Sequence, residues 1–338
     1  MSGEQTTNVA PVGAPPSHPS SPIPVHGAPI GVHVRVPLGE TGLQIFPLIL
    51  GGSEFGWSID PAKSHAVLDA YLARGGNALH TADGYASGRS EHIIGRWLAS
   101  RGIRDDMVVA VRVGEHPDNP GLGPVNLVRA VEASLSRLDT DRIDVLYLDA
   151  RSDTVTALED TLATAEWLVD SGKVRTLGAH GHTATQLVEA RILASAGFPR
   201  ITALDVPYNV LHRADFDGDL RLIAGAQGLA VTPSQALEHG YLTGTHRDRA
   251  RLAASVRGGQ LAAWMNRRGV RALKALDRVS EELAVPTAAI AVAWLLAQRI
   301  VAAPIVNASA PCHVDELVQG VGTRLGRSHL ADIARAVV

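Results

Sequence analysis

The stretch Asn77-Ala-Leu-His80-Thr-Ala-Asp83-Gly-Tyr85-Ala-Ser-Gly-Arg89-Ser-Glu91 sets an imidazole, a carboxyl and a phenol close together in the chain. Two further residues of matching chemistry close later apolar runs: Arg112 in Val111-Arg-Val-Gly114, and Asp149 in Leu146-Tyr-Leu-Asp149. A histidine ordinarily titrates near 6.5, so His80 is the expected general acid or base, with Tyr85 as its partner. Arginine stays protonated and pairs bidentately with carboxylates, so Arg112 suits either an ion pair with Asp149 or a clamp on an acidic substrate. The set points to proton transfer on a small molecule: elimination, epimerisation, isomerisation or cyclisation. The alternative for His80 is a histidine that merely fills its pocket.

A metal reading draws on His180-x-His182 together with His80, Asp149 and Asp205, since imidazole and carboxylate suit a divalent ion. Arg112 in the same place opposes a bound cation, and His182 is expected at the following helix, solvated. No metal is therefore expected. Asp83 reads as a structural or capping residue, and Arg89-Ser-Glu91 as a helix start.

These residues need elements to hold them. Short apolar runs at 47–50, 78–81, 108–113, 143–148, 174–177, 201–204, 229–231 and 301–305 read as buried strands. Amphipathic patterns at 64–73, 124–138, 157–169, 183–195 and 287–297 read as helices between them. Repeated strand-then-helix units of this number predict a closed (β/α)8 barrel of the TIM type rather than an open sheet. Ahead of the barrel, Val34–Val36 and Leu43–Ile45 flank the turn Gly39-Glu-Thr-Gly42 and predict a β-hairpin. The long irregular segment near 240–269 reads as a lid or binding belt, with helix around 260–266.

Residues 1–30 carry Pro11, Pro15, Pro16, Pro19, Pro22, Pro24 and Pro29 among small polar residues and are expected to form a disordered tail. Residues 31–338 then form one domain. The chain has 338 residues, 46% apolar content, a net charge of −3 and one cysteine, Cys312. A sizeable core is available, and an internal disulfide framework is excluded. No clustered basic run favours nucleic acid or an anionic membrane, so a small-molecule partner is expected. No apolar stretch reaches about 18 to 20 residues, so a cytoplasmic protein is expected. Cationic charge comes almost wholly from arginine, which hints at a bacterial source.

The segment 77–91 resembles the aldo/keto reductase segment Asn-Phe-Phe-Asp-Thr-Ala-Asp-x-Tyr-x-x-Gly-x-Ser-Glu. Gly172-Lys-Val-Arg-Thr-Leu-Gly178, Asp205-Val-Pro-Tyr-Asn-Val-Leu-His-Arg213, Gly240-Tyr-Leu-Thr-Gly244 and Ala291-Val-Ala-Trp-Leu-Leu-Ala-Gln298 resemble further family motifs in the same order. The chain from about Val34 onward is identified as a divergent member of that superfamily. The resemblance implies the barrel, a hairpin closing its floor, and NADP(H)-dependent carbonyl reduction by a tyrosine, lysine, aspartate and histidine tetrad. Only the tyrosine, as Tyr85, is kept. His80 stands at the aspartate position, Arg112 at the lysine and Asp149 at the histidine.

The cofactor-binding positions implied by the resemblance are also substituted. His180-Gly181 replaces the Ser-Asn pair that holds the carboxamide, Asp205 replaces the glutamine, and Ser234 falls where an aromatic stacks on the nicotinamide. Near the C-terminus, Asn307 and Ser309 occupy the phosphate-facing segment, where no arginine or lysine meets a 2′-phosphate and Asp315 and Glu316 would repel one. A helix N-terminus near Ala310 remains able to receive a phosphate. The expectation is a cofactor-independent acid–base enzyme of specialised metabolism. The alternatives are a divergent NADP(H) reductase with Tyr85 as proton donor, and a non-catalytic ligand-binding or regulatory protein. Catalysis predicts a largely enclosed pocket in which His80, Tyr85, Arg112 and Asp149 converge within hydrogen-bond reach, whereas a floor sealed by apolar side chains favours the binding protein.

Overall fold

A computed structural model describes residues 34–248 and 256–337. The expected tail at 1–30 lies outside the described residues. The hairpin forms from β1 (Val36–Pro37) and β2 (Gln44–Ile45), paired antiparallel. Eight parallel strands follow: β3 (Ile49–Gly51), β4 (Ala78–Ala82), β5 (Val108–Val113), β6 (Ile143–Asp149), β7 (Val174–His180), β8 (Ile201–Pro207), β9 (Ala230–Ser234) and β10 (Ile305–Asn307). Their order is β10-β3-β4-β5-β6-β7-β8-β9. The seam between β9 and β10 is closed by a bridge between Val231 and Val301 and by the Ala302 N–H donating to the Val231 carbonyl at 2.9 Å. The result is a nearly closed (β/α)8 barrel.

Helices α1 (Pro61–Ala73), α2 (Arg89–Arg101), α3 (Pro124–Leu138), α4 (Leu158–Asp170), α5 (Ala184–Ser195) and α6 (Asp219–Ala226) alternate with the strands. After β9 come α7 (Gly258–Ala262), α8 (Arg267–Leu283) and α9 (Thr287–Leu296); α10 (Pro311–Gly322) and α11 (Arg327–Ala336) follow β10. Local chemistry sets their starts. Asp60 accepts the Lys63 N–H ahead of Pro61, which needs no N–H partner at the first helical position. Thr183 and Gln186 close α5 with a reciprocal capping box. The helix expected around 260–266 begins and ends earlier, at Gly258–Ala262, because Asn266 instead caps α8 by accepting the Gly269 N–H.

Alternate residues of each strand face the barrel axis. Ile49, Ala78, Val108, Val145, Ala203, Ala230 and Ile305 form an apolar lower layer with Leu38, Leu43 and Ile45 of the hairpin segment, so the hairpin seals the floor. The inward positions farther along the strands turn polar. Asp149, His180, Asp205 and Thr232 sit side by side in register across β6 to β9, and Arg112 pairs with Tyr147 one step lower. No single helix among the described residues is long and apolar enough to cross a membrane.

Candidate active site at the barrel mouth

The polar ends of the strands gather the predicted residues around the barrel axis, where side chains from adjacent strands, about 4.8 Å apart, meet. Tyr85 stands on the turn after β4. That turn is tight: Ala86 and Ser87 adopt left-handed backbone conformations with φ of 51° and 55° before Gly88 at 82°. Such conformations are costly for residues with a Cβ. The Tyr85 N–H donating to Ala82 and the Gly88 N–H donating to Tyr85 hold them in place. Asp83 is structural, as its type suggested: buried, it accepts the Gly114 N–H at 3.0 Å and ties the turn to the end of β5.

Arg112 and Asp149 form the expected ion pair, Nε to Oδ2 at 3.5 Å. Two residues absent from the sequence reading join them. Glu115 accepts from Arg112 Nη2 at 2.6 Å, and Arg151 donates to Asp149 through Nε at 3.1 Å and Nη2 at 3.0 Å. Their signal was in the chain, as a carboxylate three residues after Arg112 and a guanidinium two after Asp149. The Arg112 guanidinium lies 5.5 Å from the centre of the Tyr85 ring. Burial alone would favour its losing the proton, but Tyr85, Asp205, Glu115 and Asp149 outweigh burial and keep it charged. Burial would raise the Asp149 carboxyl, yet Arg151, His180 and Arg112 hold it below its ordinary value.

His80 departs from its expected state. Burial first, then the charge of Arg112, pushes it from 6.5 down to about 4, against the pull of Asp205. It is therefore neutral at pH 7. Neither of its ring nitrogens is hydrogen-bonded to a described protein group; Nε2 lies 3.7 Å from Asp205 Oδ2. Its ring centre is 6.3 Å from that of Tyr85 and 5.7 Å from that of Tyr147. The four expected residues thus share one mouth without all converging to hydrogen-bond distance: Arg112 meets Asp149, while His80 stands apart from Tyr85. Tyr147 is buried with its hydroxyl 2.9 Å from Thr232 Oγ1, forming the wall beneath His80. Trp57 is half exposed under the Arg257 guanidinium.

The positions expected to face a cofactor have other engagements. Asp205 lies 2.8 Å from His180 Nδ1. Burial would raise its carboxyl, but His180, His80 and Arg112 hold it well below the carboxylate range, so it stays ionised. His180 Nε2 faces Arg112 Nη1 at 3.4 Å, and because a guanidinium only donates, that nitrogen is the acceptor. Ser234 ends β9, its carbonyl accepting the Tyr208 N–H. Asn307 ends β10 with Oδ1 3.4 Å from the Ser53 N–H, and Ser309 Oγ lies 3.2 Å from His313 Nδ1; both residues are exposed. Asp315, read as repelling a phosphate, is paired with Arg74 at 2.7 Å, which offsets part of that repulsion.

These residues do not fit a nicotinamide amide. Asp205, an ionised carboxylate 2.8 Å from His180 Nδ1, can accept from a carboxamide NH2 but has no N–H to offer its carbonyl oxygen, and Ser234 offers no ring to stack on. The metal reading also loses its geometry. His182 lies in the loop ahead of α5, buried rather than solvated, with Nδ1 3.1 Å from the His180 carbonyl. Among the described residues no group of three or more His, Cys, Asp or Glu side chains is arranged to hold an ion.

Comparison with known proteins places this mouth in context. A model of the Aldo/keto reductase family matches residues 47–337. Aldo-keto reductase ausK of Emericella nidulans is 30% identical over 322 residues, spanning 88% of this chain and 79% of the relative. A norsolorinic acid reductase of Aspergillus flavus is 26% identical over 322 residues, 90% of this chain and 80% of the relative. A protein of Oryza sativa subsp. japonica, named among voltage-gated potassium channel beta subunits, is 29% identical over 285 residues, 80% of this chain and 86% of the relative.

Proposed function

The chain belongs to the aldo/keto reductase family, and from that premise we propose that it has exchanged hydride transfer for proton transfer on a small molecule at the barrel mouth. The family usually uses NADP(H); this chain's residues at the nicotinamide end do not suit it. The observation that carries the proposal is His80: a neutral imidazole with no hydrogen-bonded protein partner, beside an ionised carboxylate and with its ring centre 6.3 Å from that of a phenol.

The roles follow from the electrostatics. Burial raises the Tyr85 phenol, so it is protonated at neutral pH and able to donate to a substrate oxygen. The Arg112 guanidinium opposes that rise and would stabilise the phenolate left behind. His80 takes a proton from an adjacent carbon, and Asp205 at 3.7 Å steadies the imidazolium that forms. Moving one proton from carbon to His80 and one from Tyr85 to oxygen gives an enol, the common entry to isomerisation, elimination and cyclisation. The test is deuterium incorporation from D2O, followed by NMR, into a panel of enolisable ketones and β-hydroxy ketones without nucleotide. Exchange that is lost in Tyr85→Phe and His80→Ala supports the proposal, and turnover that requires NADPH overturns it.

Carbonyl reduction is the second reading, favoured by the retained Tyr85 and by the two fungal relatives named as reductases. It requires His180, Asp205 and Ser234 to be displaced by, or to tolerate, a nicotinamide.

A further inference from the structure

The mouth contains a closed ring of alternating charge. Arg112 meets Asp149 at 3.5 Å, Asp149 accepts from Arg151 at 3.0 and 3.1 Å, Arg151 lies 3.6 Å from Glu115, and Glu115 accepts from Arg112 at 2.6 Å. Two guanidinium groups and two carboxylates cancel. Arg112 is buried against Asp149 and Glu115, and Arg151, 48% exposed, is held by the same two carboxylates, so a substrate carboxylate would have to compete with carboxylates already in place. Asp205 is not in the ring. Its neighbours are His80, neutral at pH 7, and His180, whose Nε2 accepts from Arg112. Asp205 thus adds a third carboxylate to the two guanidinium groups and two carboxylates of the ring.

We propose that the mouth takes uncharged small molecules and discriminates against anionic ones, and that Glu115 is the residue that sets this selectivity. Glu115 is the ring member suited to the role: its side chain is 40% exposed, on the rim, and it holds Arg112 and Arg151 at once. Removing its charge gives the ring a net positive charge and frees donors on both arginines. The inference rests on the mouth being the substrate site, as proposed above.

The experiment compares two probes of one shape, 2-naphthamide and 2-naphthoate, by calorimetric titration at pH 7.5. One uncompensated unit charge within about 10 Å at an effective dielectric of about 20 corresponds to about tenfold in affinity. The wild-type protein is expected to prefer the amide by about tenfold, with the preference falling below about threefold in Glu115→Gln and persisting in Glu115→Asp. Amide binding by each variant reports that the mouth is intact. Naphthoate bound as tightly as the amide by the wild type, or a preference unchanged in Glu115→Gln, would overturn the inference. Binding of neither probe by the wild type overturns it together with the mouth as a ligand site. Charge selectivity without any deuterium exchange would sink the proton-transfer reading alone.

Discussion

Replacing His80 with leucine should make the protein less sensitive to acid, and the size of the effect follows from the buried imidazole. His80 is 1% exposed, and its pKa falls from 6.5 to about 4 on folding. Between those values the unfolded chain binds the proton more readily than the folded one, so stability is lost as pH falls through this window. At pH 7.5 the linkage contributes almost nothing. At pH 5 the unfolded state is stabilised by about 2 kcal/mol, from the ratio of the two proton-binding polynomials. The leucine variant removes that dependence. It also removes two buried nitrogens that lack hydrogen-bonded partners, so little or no stability should be lost at pH 7.5. Urea unfolding followed by tryptophan fluorescence at pH 7.5 and pH 5 measures both. The difference between wild type and variant isolates His80, since His182 and His239, which burial also lowers, are present in each. An identical loss of stability in the two proteins would show that His80 is charged or solvated in the folded state.

Asp149→Asn should cost about 2–3 kcal/mol in the same unfolding assay, less than a fully buried pair because Arg151 is half exposed; an unchanged midpoint would argue against the ring. Gly178→Ala places a Cβ 2.4 Å from the Tyr147 ring and should cost about 1–3 kcal/mol while shifting that ring against His80, visible as a changed His80 imidazole NMR signal. Gly95→Ala directs a Cβ to 2.4 Å from the Leu138 carbonyl where α2 crosses α3; it should lower the thermal midpoint without altering ligand binding at the mouth.

The barrel was legible because its lower half is plain apolar patterning. Val108–Val113 was read to the residue as β5, since every position there is buried and Arg112 interrupts the run only once. The strands that build the site were read too short. β6, β7, β8 and β9 continue to Asp149, His180, Pro207 and Ser234, past the point where inward positions turn polar. An apolar-run criterion stops where chemistry begins. The last strand was expected at 301–305 but runs Ile305–Asn307. Pro304 has no N–H to donate, and Val301 makes only an isolated bridge. The pairing of Arg112 with Asp149 was visible in residue type and order. The pairing of His180 with Asp205 was not, because it depends on the register of β7 against β8. The pKa of His80 was likewise out of reach, because it is set by burial among residues far apart in sequence.

The central proposal is that the mouth neither grips nor uses a nicotinamide, and titration of the purified protein with NADPH and NADH under calorimetry, followed by a carbonyl-dependent oxidation assay, tests it most directly. The account predicts no saturable binding in the micromolar range with either nucleotide and no oxidation. Micromolar binding, with NADPH oxidised at the expense of a carbonyl compound by the wild type and not by Tyr85→Phe, would contradict it.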